Sequence, residues 1–379
     1  MVRNIKQEGT AMKEHITIGM DMGDKIHKAV ALGGDGRESR REEVANTREA
    51  MAAFLGGFPG ATLAIETGTH CRWVCALASG MGLKVLVANA RKVALITRNS
   101  RKSDWNDAAM LADIAYAKPS LLRPVSLRGA ADQRLMRLAK GRDALVRCRT
   151  AIVNQVRGFC KAEGVRLRAC SPEAFPSLRG DLPEEAADVS AHLLATIKFL
   201  NGKIKRYDRI LEKALGRLRG EDADIVTQIP GVGTVTAAVF LAAIGDAGSF
   251  GGDARAAGPF LGLVPKSGQS GDKDPQLRIS KEGNSLARRT LVNSASHIMG
   301  PFGKDSDLRR HGMRIAARGG KNAKKRARVA VARRLAVTML AMLRDRSDYR
   351  PIAEGSPPEW GAPSGGSAAT AGGREGQGA

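Results

Sequence analysis

The amino-acid sequence predicts an α/β domain at the N-terminal end and a mainly helical protein after it. Two observations predict this fold class. Up to about residue 90, short alternating or apolar segments typical of strands are interleaved with helical patterns. From Ala130 to Leu218, apolar residues instead recur at helical spacing among many arginines and lysines.

Three strand patterns come first in the N-terminal part, and a glycine-rich turn from Gly33 to Arg37 links the second to the third. Helices and strands then alternate, which is typical of a mixed α/β domain. This order is that of a ribonuclease-H-like fold, which we expect over residues 13–128. The predicted strands are residues 15–23, 27–33, 39–45, 61–67 and 84–89, and the predicted helices are 48–55, 72–81 and a stretch from 91 onward.

The remainder of the chain divides into three predicted regions. Residues 129–221 are expected to form a helical arm or coiled-coil linker, which Pro172, Pro176 and Pro183 break into two long segments. Residues 222–350 form a second compact domain, in which the apolar stripe of Arg328 to Leu343 predicts a packed helix with a basic face. A flexible arm of residues 1–12 and a disordered tail of residues 351–379, rich in Gly, Ser, Ala and Pro, complete the prediction.

The charge of the chain predicts a polyanionic partner, and we expect double-stranded DNA. Lysine and arginine total 61 against 38 acidic residues, which leaves a formal charge of +23. Aromatic residues make up only 4%, too few for the stacking surface of a single-strand binder. The alternative is a basic protein without a nucleic-acid partner. Five irregularly spaced cysteines and the lack of a long apolar run predict neither disulfides, nor a zinc site, nor a membrane span, and we expect a cytoplasmic, nucleoid-associated protein.

Four carboxylates form the candidate catalytic and metal-binding set. Asp21 and Glu66 lie in or at the end of predicted strands, and Asp104 and Asp107 share one face at the start of a helix. Three or four carboxylates are what a pair of Mg²⁺ ions needs, because hard cations prefer oxygen ligands. Taken singly, Asp21 could accept backbone hydrogen bonds and Asp104 could cap its helix.

Three N-terminal motifs carry a resemblance to a known family. They are Gly19 to Lys25 (GMDMGDK), Ile65 to Gly68 (IETG) and Lys102 to Ala108 (KSDWNDA), of which the last is the most specific. In these motifs the chain resembles the DEDD transposases of the insertion-sequence 110 family, its 1111 subgroup included. The resemblance implies a RuvC-like domain in which Asp21, Glu66, Asp104 and Asp107 are the metal-binding tetrad.

The resemblance continues in the C-terminal part, through about residue 300, in four short motifs. In similar proteins a serine before a glycine in the third motif attacks DNA, which implies Ser270 here, with Ser267 as a weaker rival. Members often carry two serines at this point, whereas this chain has Gln269 before Ser270. The family also implies a structured guide RNA and oligomers, dimers or tetramers, that pair the metal domain of one subunit with the serine domain of another. The four motifs are IPGVGTVTA from Ile229, GLVP from Gly262, QSGDK from Gln269 and ISKEGN from Ile279.

The first of these motifs is also a helix-hairpin-helix signature. Gly231 and Gly233 permit a tight turn, and the helix from about Thr234 then presents free amides to a phosphate. The alternative is a plain helical turn in a packed bundle. Around Ser270 we expect activation by the Mg²⁺ cluster, because no histidine is near in sequence. Five cations are candidates for holding the phosphates: Lys273, Arg278, Lys281, Arg288 and Arg289.

Three functions therefore compete. The first is a Mg²⁺-dependent transposase or recombinase with a transient phosphoserine link at Ser270. The second is a RuvC-like, structure-specific nuclease, which uses the same carboxylates to direct water at phosphate and needs no serine. The third is a non-catalytic basic DNA-binding protein. A serine hydrolase is the weakest candidate, since the sequence has no Gly-x-Ser-x-Gly elbow.

Overall fold

The computed structural model describes residues 15–89, 103–266, 268 and 277–352. Several predictions lie outside these residues: the arm of residues 1–12, the helix from residue 91, Ser267, Ser270, Lys273 and the tail beyond residue 352. The chain forms two compact units, of which the first ends at Leu127 and the second begins at Arg128. No helix in the described part of the chain has the length and apolar composition to cross a membrane.

The first unit is built on a five-stranded mixed sheet with the order β3-β2-β1-β4-β5. The first three strands pair antiparallel, and β1, β4 and β5 pair parallel. This arrangement confirms the predicted α/β class for the N-terminal part. The strands are β1 (Thr17–Asp21), β2 (Ile26–Leu32), β3 (Glu38–Ala45), β4 (Thr62–Glu66) and β5 (Lys84–Ala88), and the helices are α1 (Arg48–Gly56), α2 (Cys71–Gly80) and α3 (Asp104–Ala117).

Helices cover both faces of the sheet, because the side chains of a strand alternate between its two faces. Ile18 and Met20 of β1 point to one face and pack in the main core of this unit with α1 and α2. Val30 and Leu32 of β2 point to the other face and pack against α3. The carboxyl ends of β1 and β4 thus lie between two helical layers, with α1 and α2 on one face of the sheet and α3 on the other.

The second unit is helical, as predicted for the remainder of the chain. One helix is broken within its bounds at Arg219, where φ is −148° and ψ is 38°. The helices are α4 (Ala130–Ala162), α5 (Glu184–Thr227), α6 (Thr234–Ile244), α7 (Ala257–Phe260), α8 (Ser285–Ile298), α9 (Asp307–Ala317) and α10 (Ala323–Asp345).

Helix α6 is the centre of the second unit. All of its residues from Thr236 to Ile244 are buried, because its sequence is apolar around the whole circumference. The core around it also includes Leu135 of α4 and Leu211 of α5, so one end of the two long helices belongs to this core. A separate small core around Phe175 and Leu178 holds their other ends together, next to the proline-rich break.

A buried ion network fixes the break in α5. The guanidinium of Arg219 lies 2.5 Å from the carboxylate of Asp132 and 2.7 Å from that of Asp222. It also donates a hydrogen bond of 3.1 Å to the carbonyl of Gly245. The non-helical residue therefore joins α4, α5 and the end of α6 at one point.

Candidate active site

Asp21 and Glu66 end two neighbouring strands. Strands β1 and β4 are parallel, and Met20 is paired with Ile65, so the two acids that follow lie side by side. Both residues are partly exposed, whereas the four residues before each of them are buried. Each carboxylate thus lies at the end of a buried strand, at the same edge of the sheet.

The alternation of the strands places both acids on the face that α3 covers. Gly19 contacts α3, since a Cβ built on it would lie 2.1 Å from the carbonyl oxygen of Ala108. Ala64 packs in the small core that includes Leu111 of α3. Asp21 and Glu66 come two residues after Gly19 and Ala64, and therefore share their face.

Helix α3 brings Asp104 and Asp107 to the same end of this face. The helix begins after Ser103, whose hydroxyl accepts a hydrogen bond of 3.3 Å from the amide of Asn106. At the far end of the helix, the hydroxyl of Tyr116 donates to the carbonyl of Gly34, beyond the amino end of β1. The helix therefore runs antiparallel to β1, and its first turn lies toward the carboxyl end of that strand.

Two side chains that we did not predict border this group of acids. Lys28 is the register partner of Asp21 on β2. Its ammonium lies 4.9 Å from the ring centroid of Trp105, the residue after Asp104, and it also forms an ion pair with Glu43. Trp105 belongs to the motif KSDWNDA, but the motif alone does not indicate which strand residue its ring covers.

The donor set suits Mg²⁺ in its chemistry, since all four side chains are carboxylates and hard cations take oxygen ligands. In the described part of the chain, however, no three or more His, Cys, Asp or Glu side chains converge closely enough to hold an ion. The structure thus gathers the four acids at one end of one face, without closing them into a ligand shell.

A buried histidine lies near the same edge on the opposite face of the sheet. His27 is 0% exposed, and among the described residues neither of its ring nitrogens has a hydrogen-bond partner. Its ring centroid lies 6.2 Å from that of His70, whose Nε2 is 3.3 Å from a carboxylate oxygen of Asp24. Burial lowers the pKa of His27; Asn46 nearby opposes this shift, and His70 adds to it.

The two glycines of the turn before α6 have different surroundings. Gly231 has a φ of +97°, and a Cβ there would lie 3.1 Å from the ring of His297 in α8. Gly233 is exposed, has a φ of −94° and precedes the first turn of α6, which no side chain of the described residues caps. The first glycine therefore permits the turn and its packing, and the second is an exposed residue without a side chain directly before the amides of α6 and Thr234.

The segment that contains Ser270 and Lys273 lies outside the described residues, but the residues on either side of it pair with each other. Pro265 and Ile279 form an antiparallel bridge. The amide of Lys266 donates to the carbonyl of Arg278 at 3.0 Å, and that of Ser280 donates to Val264 at 2.8 Å. A short antiparallel ribbon thus joins the described residues on the two sides of this segment.

The candidate phosphate ligands near this ribbon differ in how they are engaged. Arg288 donates to the carbonyl of Leu261 at 3.1 Å and to that of Glu282. Arg289 lies 2.5 Å from a carboxylate oxygen of Asp143 on α4. Arg288 therefore binds backbone carbonyls of the protein itself, beside the ribbon. The remaining two described candidates, Arg278 and Lys281, are exposed.

An α/β unit with acids at one sheet edge, followed by a basic helical unit, is the organisation expected of an enzyme that rearranges DNA. Comparison with known families agrees with this class. The DEDD transposase model of the IS110 type, described as "Transposase", matches residues 18–162. The model described as "Transposase IS116/IS110/IS902 family" matches residues 223–325. The chain belongs to this IS110 family of transposases, and it is a DNA transposase.

Curated relatives support the same assignment over most of the chain. The chain is 30% identical over 278 residues to the transposase for insertion sequence element IS1111A of Coxiella burnetii, which covers 72% of this chain and 74% of that protein. It is 27% identical over 291 residues to the transposase for insertion sequence element IS1328 of Yersinia enterocolitica, with 74% and 83% covered.

Proposed function

We propose that this transposase cleaves and transfers DNA strands with Mg²⁺ bound by Asp21, Glu66, Asp104 and Asp107 and with Ser270 as the nucleophile. The observation that carries the proposal is the common edge: two adjacent strand ends and the first turn of α3 place the four acids on one face. Unscreened carboxylates at such a site repel one another, and a divalent cation removes that repulsion.

The strand order supports a RuvC-like, ribonuclease-H-like domain for residues 13–128. Three antiparallel strands are followed by two strands that run parallel to β1. We place the helical arm at residues 129–221 and the serine-bearing domain at 222–350. The tight turn of Gly231 and the first turn of α6, which no side chain of the described residues caps, support a helix-hairpin-helix contact with a phosphate.

The chemistry assigned to Ser270 is a phosphoryl transfer. Its Oγ loses a proton and bonds to a backbone phosphorus, while one phosphorus–oxygen bond of the DNA breaks and the released sugar oxygen takes up a proton. Attack by the hydroxyl of another strand reverses the step, frees the serine and joins the new strand. When bound, Mg²⁺ favours loss of the attacking proton and stabilises the charge on the leaving oxygen.

Strand exchange between donor and target DNA tests both parts of this proposal. Asp104→Asn and Ser270→Ala should each abolish exchange while leaving the fold and most DNA affinity intact. Asp113→Asn is the matched control, since Asp113 is an exposed acid further along α3. Exchange at the normal level in the Ser270→Ala protein would remove the serine from the mechanism.

A suicide substrate separates this enzyme from a RuvC-like nuclease. The serine mechanism predicts a covalent protein–DNA species that depends on Ser270, whereas a nuclease that directs water at phosphate forms none. Cleavage without a covalent species, and with Ser270→Ala fully active, would favour the nuclease.

We also propose that an element-encoded, structured RNA guides the enzyme, and that the active form is a dimer or tetramer in the nucleoid-bearing cytoplasm. Family membership is the support for both. Sequencing of RNA that co-purifies with the full chain tests the first, and light scattering on that complex tests the second. Enrichment of RNA from outside the element, or a monomeric active complex, would contradict them.

A further inference from the structure

Between its first and last residues, the hairpin of α9 and α10 carries many cations and no acid. From Leu308 to Arg344 there are twelve lysines and arginines and no aspartate or glutamate. A packed helix with a basic face was predicted in this region, but no ligand. The structure shows where some of these cations converge.

The two helices approach each other closely at Gly312. This residue is buried, and a Cβ built on it would lie 2.6 Å from a methyl group of Val331 on α10. His311 is the neighbour of Gly312, and Arg334 lies almost one helical turn beyond Val331. Both residues therefore lie near the line of contact between the helices.

Three arginines lie near His311 where the two helices meet. Arg314 lies three residues after it in α9, Arg318 is the residue that ends this helix, and Arg334 lies three residues after Val331 on α10. Burial lowers the pKa of His311, and the charges of Arg334, Arg314 and Arg318 lower it further. These three arginines, here called the arginine cluster, thus come from both sides of the contact between α9 and α10, next to a half-buried histidine.

The arginine cluster differs from neighbouring arginines that serve the fold. Arg310 pairs with Asp305 at 2.6 Å, and Arg309 donates to the carbonyls of Ile298 and Gly300. The three cluster side chains are exposed, and none forms an ion pair with a described acid. Exposed like charges that the protein does not neutralise favour binding of an anionic partner.

We propose that the arginine cluster, with Lys321, Lys324 and Lys325 next to it, binds the phosphate backbone of double-stranded DNA. Guanidinium groups match phosphate oxygens in two-pronged hydrogen bonds, and such contacts fix position without reading base sequence. The proposal rests on the assignment of the chain as a DNA transposase and not on the serine chemistry. It adds a DNA contact to those expected at Gly233 and around Ser270.

A salt titration of DNA binding tests the proposal in the full-length protein. The probe is a fluorescent duplex of about 30 base pairs without element ends, and the variant is Arg314→Gln, Arg318→Gln, Arg334→Gln. Each lost phosphate contact should reduce the slope of log affinity against log salt by about 0.9, so the triple variant should lose about 2.7. Affinity at moderate salt should fall more than tenfold.

The matched control removes the same charge elsewhere. Lys198, Lys205 and Arg209 are exposed on α5, and their triple glutamine variant should change the slope by much less. Equal losses in both triple variants would show a bulk charge effect and overturn the proposal. An unchanged slope in the arginine variant would overturn it as well.

Two further measurements separate charge from folding and DNA from RNA. Replacement of the cluster by lysines keeps the charge and should retain most of the slope; if the glutamine variant unfolds, single Arg→Gln variants should each lose about 0.9. A loss of affinity confined to a structured RNA of equal length, with duplex DNA unaffected, would assign the surface to RNA and refute the proposal.

Discussion

The backbone of Gly19 lies directly against Ala108: a Cβ on the glycine would be 2.1 Å from the alanine carbonyl oxygen and 2.3 Å from the amide of Ala112. This contact sets the height of α3 over β1, and with it the position of the acids in the first turn of α3. We predict that Gly19→Ala lowers the free energy of unfolding by about 1–3 kcal/mol, because backbone atoms must move to admit the methyl group. It should also abolish strand exchange.

Gly80→Ala is the control for this substitution, since a Cβ at Gly80 meets no atom within 4 Å. Chemical denaturation of both variants and a strand-exchange assay provide the comparison. Full activity of the Gly19→Ala protein would show that the close contact does not position the acids.

Mg²⁺ should stabilise the first unit through the four carboxylates. A ligand at one hundred times its dissociation constant stabilises the folded state by about 2.7 kcal/mol. We predict that the unfolding midpoint rises with Mg²⁺ and falls back when the metal is removed by chelation. In the Asp107→Asn protein this rise should largely disappear, whereas Asp113→Asn should retain it. Equal stabilisation in both variants would place the bound metal elsewhere.

The buried ring of His27 predicts a pH-dependent stability. Its pKa in the folded protein is lowered, so below pH 6.5 the unfolded chain binds the proton that the folded one resists. The free energy of unfolding should therefore be highest, as far as His27 is concerned, above pH 6.5. It should fall as the pH drops, by at most about 1.4 kcal/mol per pH unit for one proton.

Tryptophan fluorescence can follow this effect, because the ring of Trp73 lies 6.5 Å from that of His27. His27→Leu should remove that part of the pH dependence without a large loss of stability at pH 8, since neither ring nitrogen forms a hydrogen bond within the part of the chain that the structure describes. His192→Gln, at an exposed site on α5, should leave the pH dependence intact. An unaltered slope in His27→Leu would assign the proton to another group.

The ion network at the break in α5 predicts a large cost for losing its centre. Asp132 is only 7% exposed, so Arg219→Met leaves a buried carboxylate without its cation. We expect a loss of about 3–5 kcal/mol in the free energy of unfolding. Adding Asp132→Asn should recover part of this loss, as the neutral amide is cheaper to bury. Arg147→Met breaks a pair whose arginine side chain is 68% exposed and should cost less than about 1 kcal/mol.

The strands and most helices could be predicted because burial leaves a periodic pattern in the sequence. Residues 63–65 are apolar because both faces of β4 are covered, and the observed bounds of α1 start where the pattern starts, at Arg48. Pairing partners leave no such pattern. The parallel register of β1 with β4, which sets Asp21 beside Glu66, became known only from the structure.

Charged residues were the hardest to interpret from the sequence. The sequence predicts Arg288 as a phosphate ligand, yet its guanidinium donates hydrogen bonds to two backbone carbonyls. Gly312 of α9 lies against Val331 of α10, and no spacing along the chain indicates that this contact brings Arg334 to the helix that carries His311 and Arg314. Roles of this kind depend on contacts between elements, which a single sequence does not encode locally.

The turn before α6 allows a structural glycine to be distinguished from a binding one. Gly231→Ala forces a methyl group onto a residue with φ of +97° beside His297, and should destabilise the second unit by about 1–3 kcal/mol. Gly233 has an ordinary φ and open space around it, so Gly233→Ala should be tolerated with a smaller loss.

If the amides of α6 contact a phosphate, Gly233→Ala should weaken DNA binding more than Gly231→Ala does, although Gly231→Ala costs more stability. Gly233 directly precedes those amides, so an added methyl group there would crowd a phosphate that binds them, and the folded Gly233→Ala protein should bind duplex DNA more weakly than the folded Gly231→Ala protein. Fluorescence anisotropy below the unfolding transition of each variant measures this difference. Equal affinities would mean that the turn serves only the packing of α6 against α8.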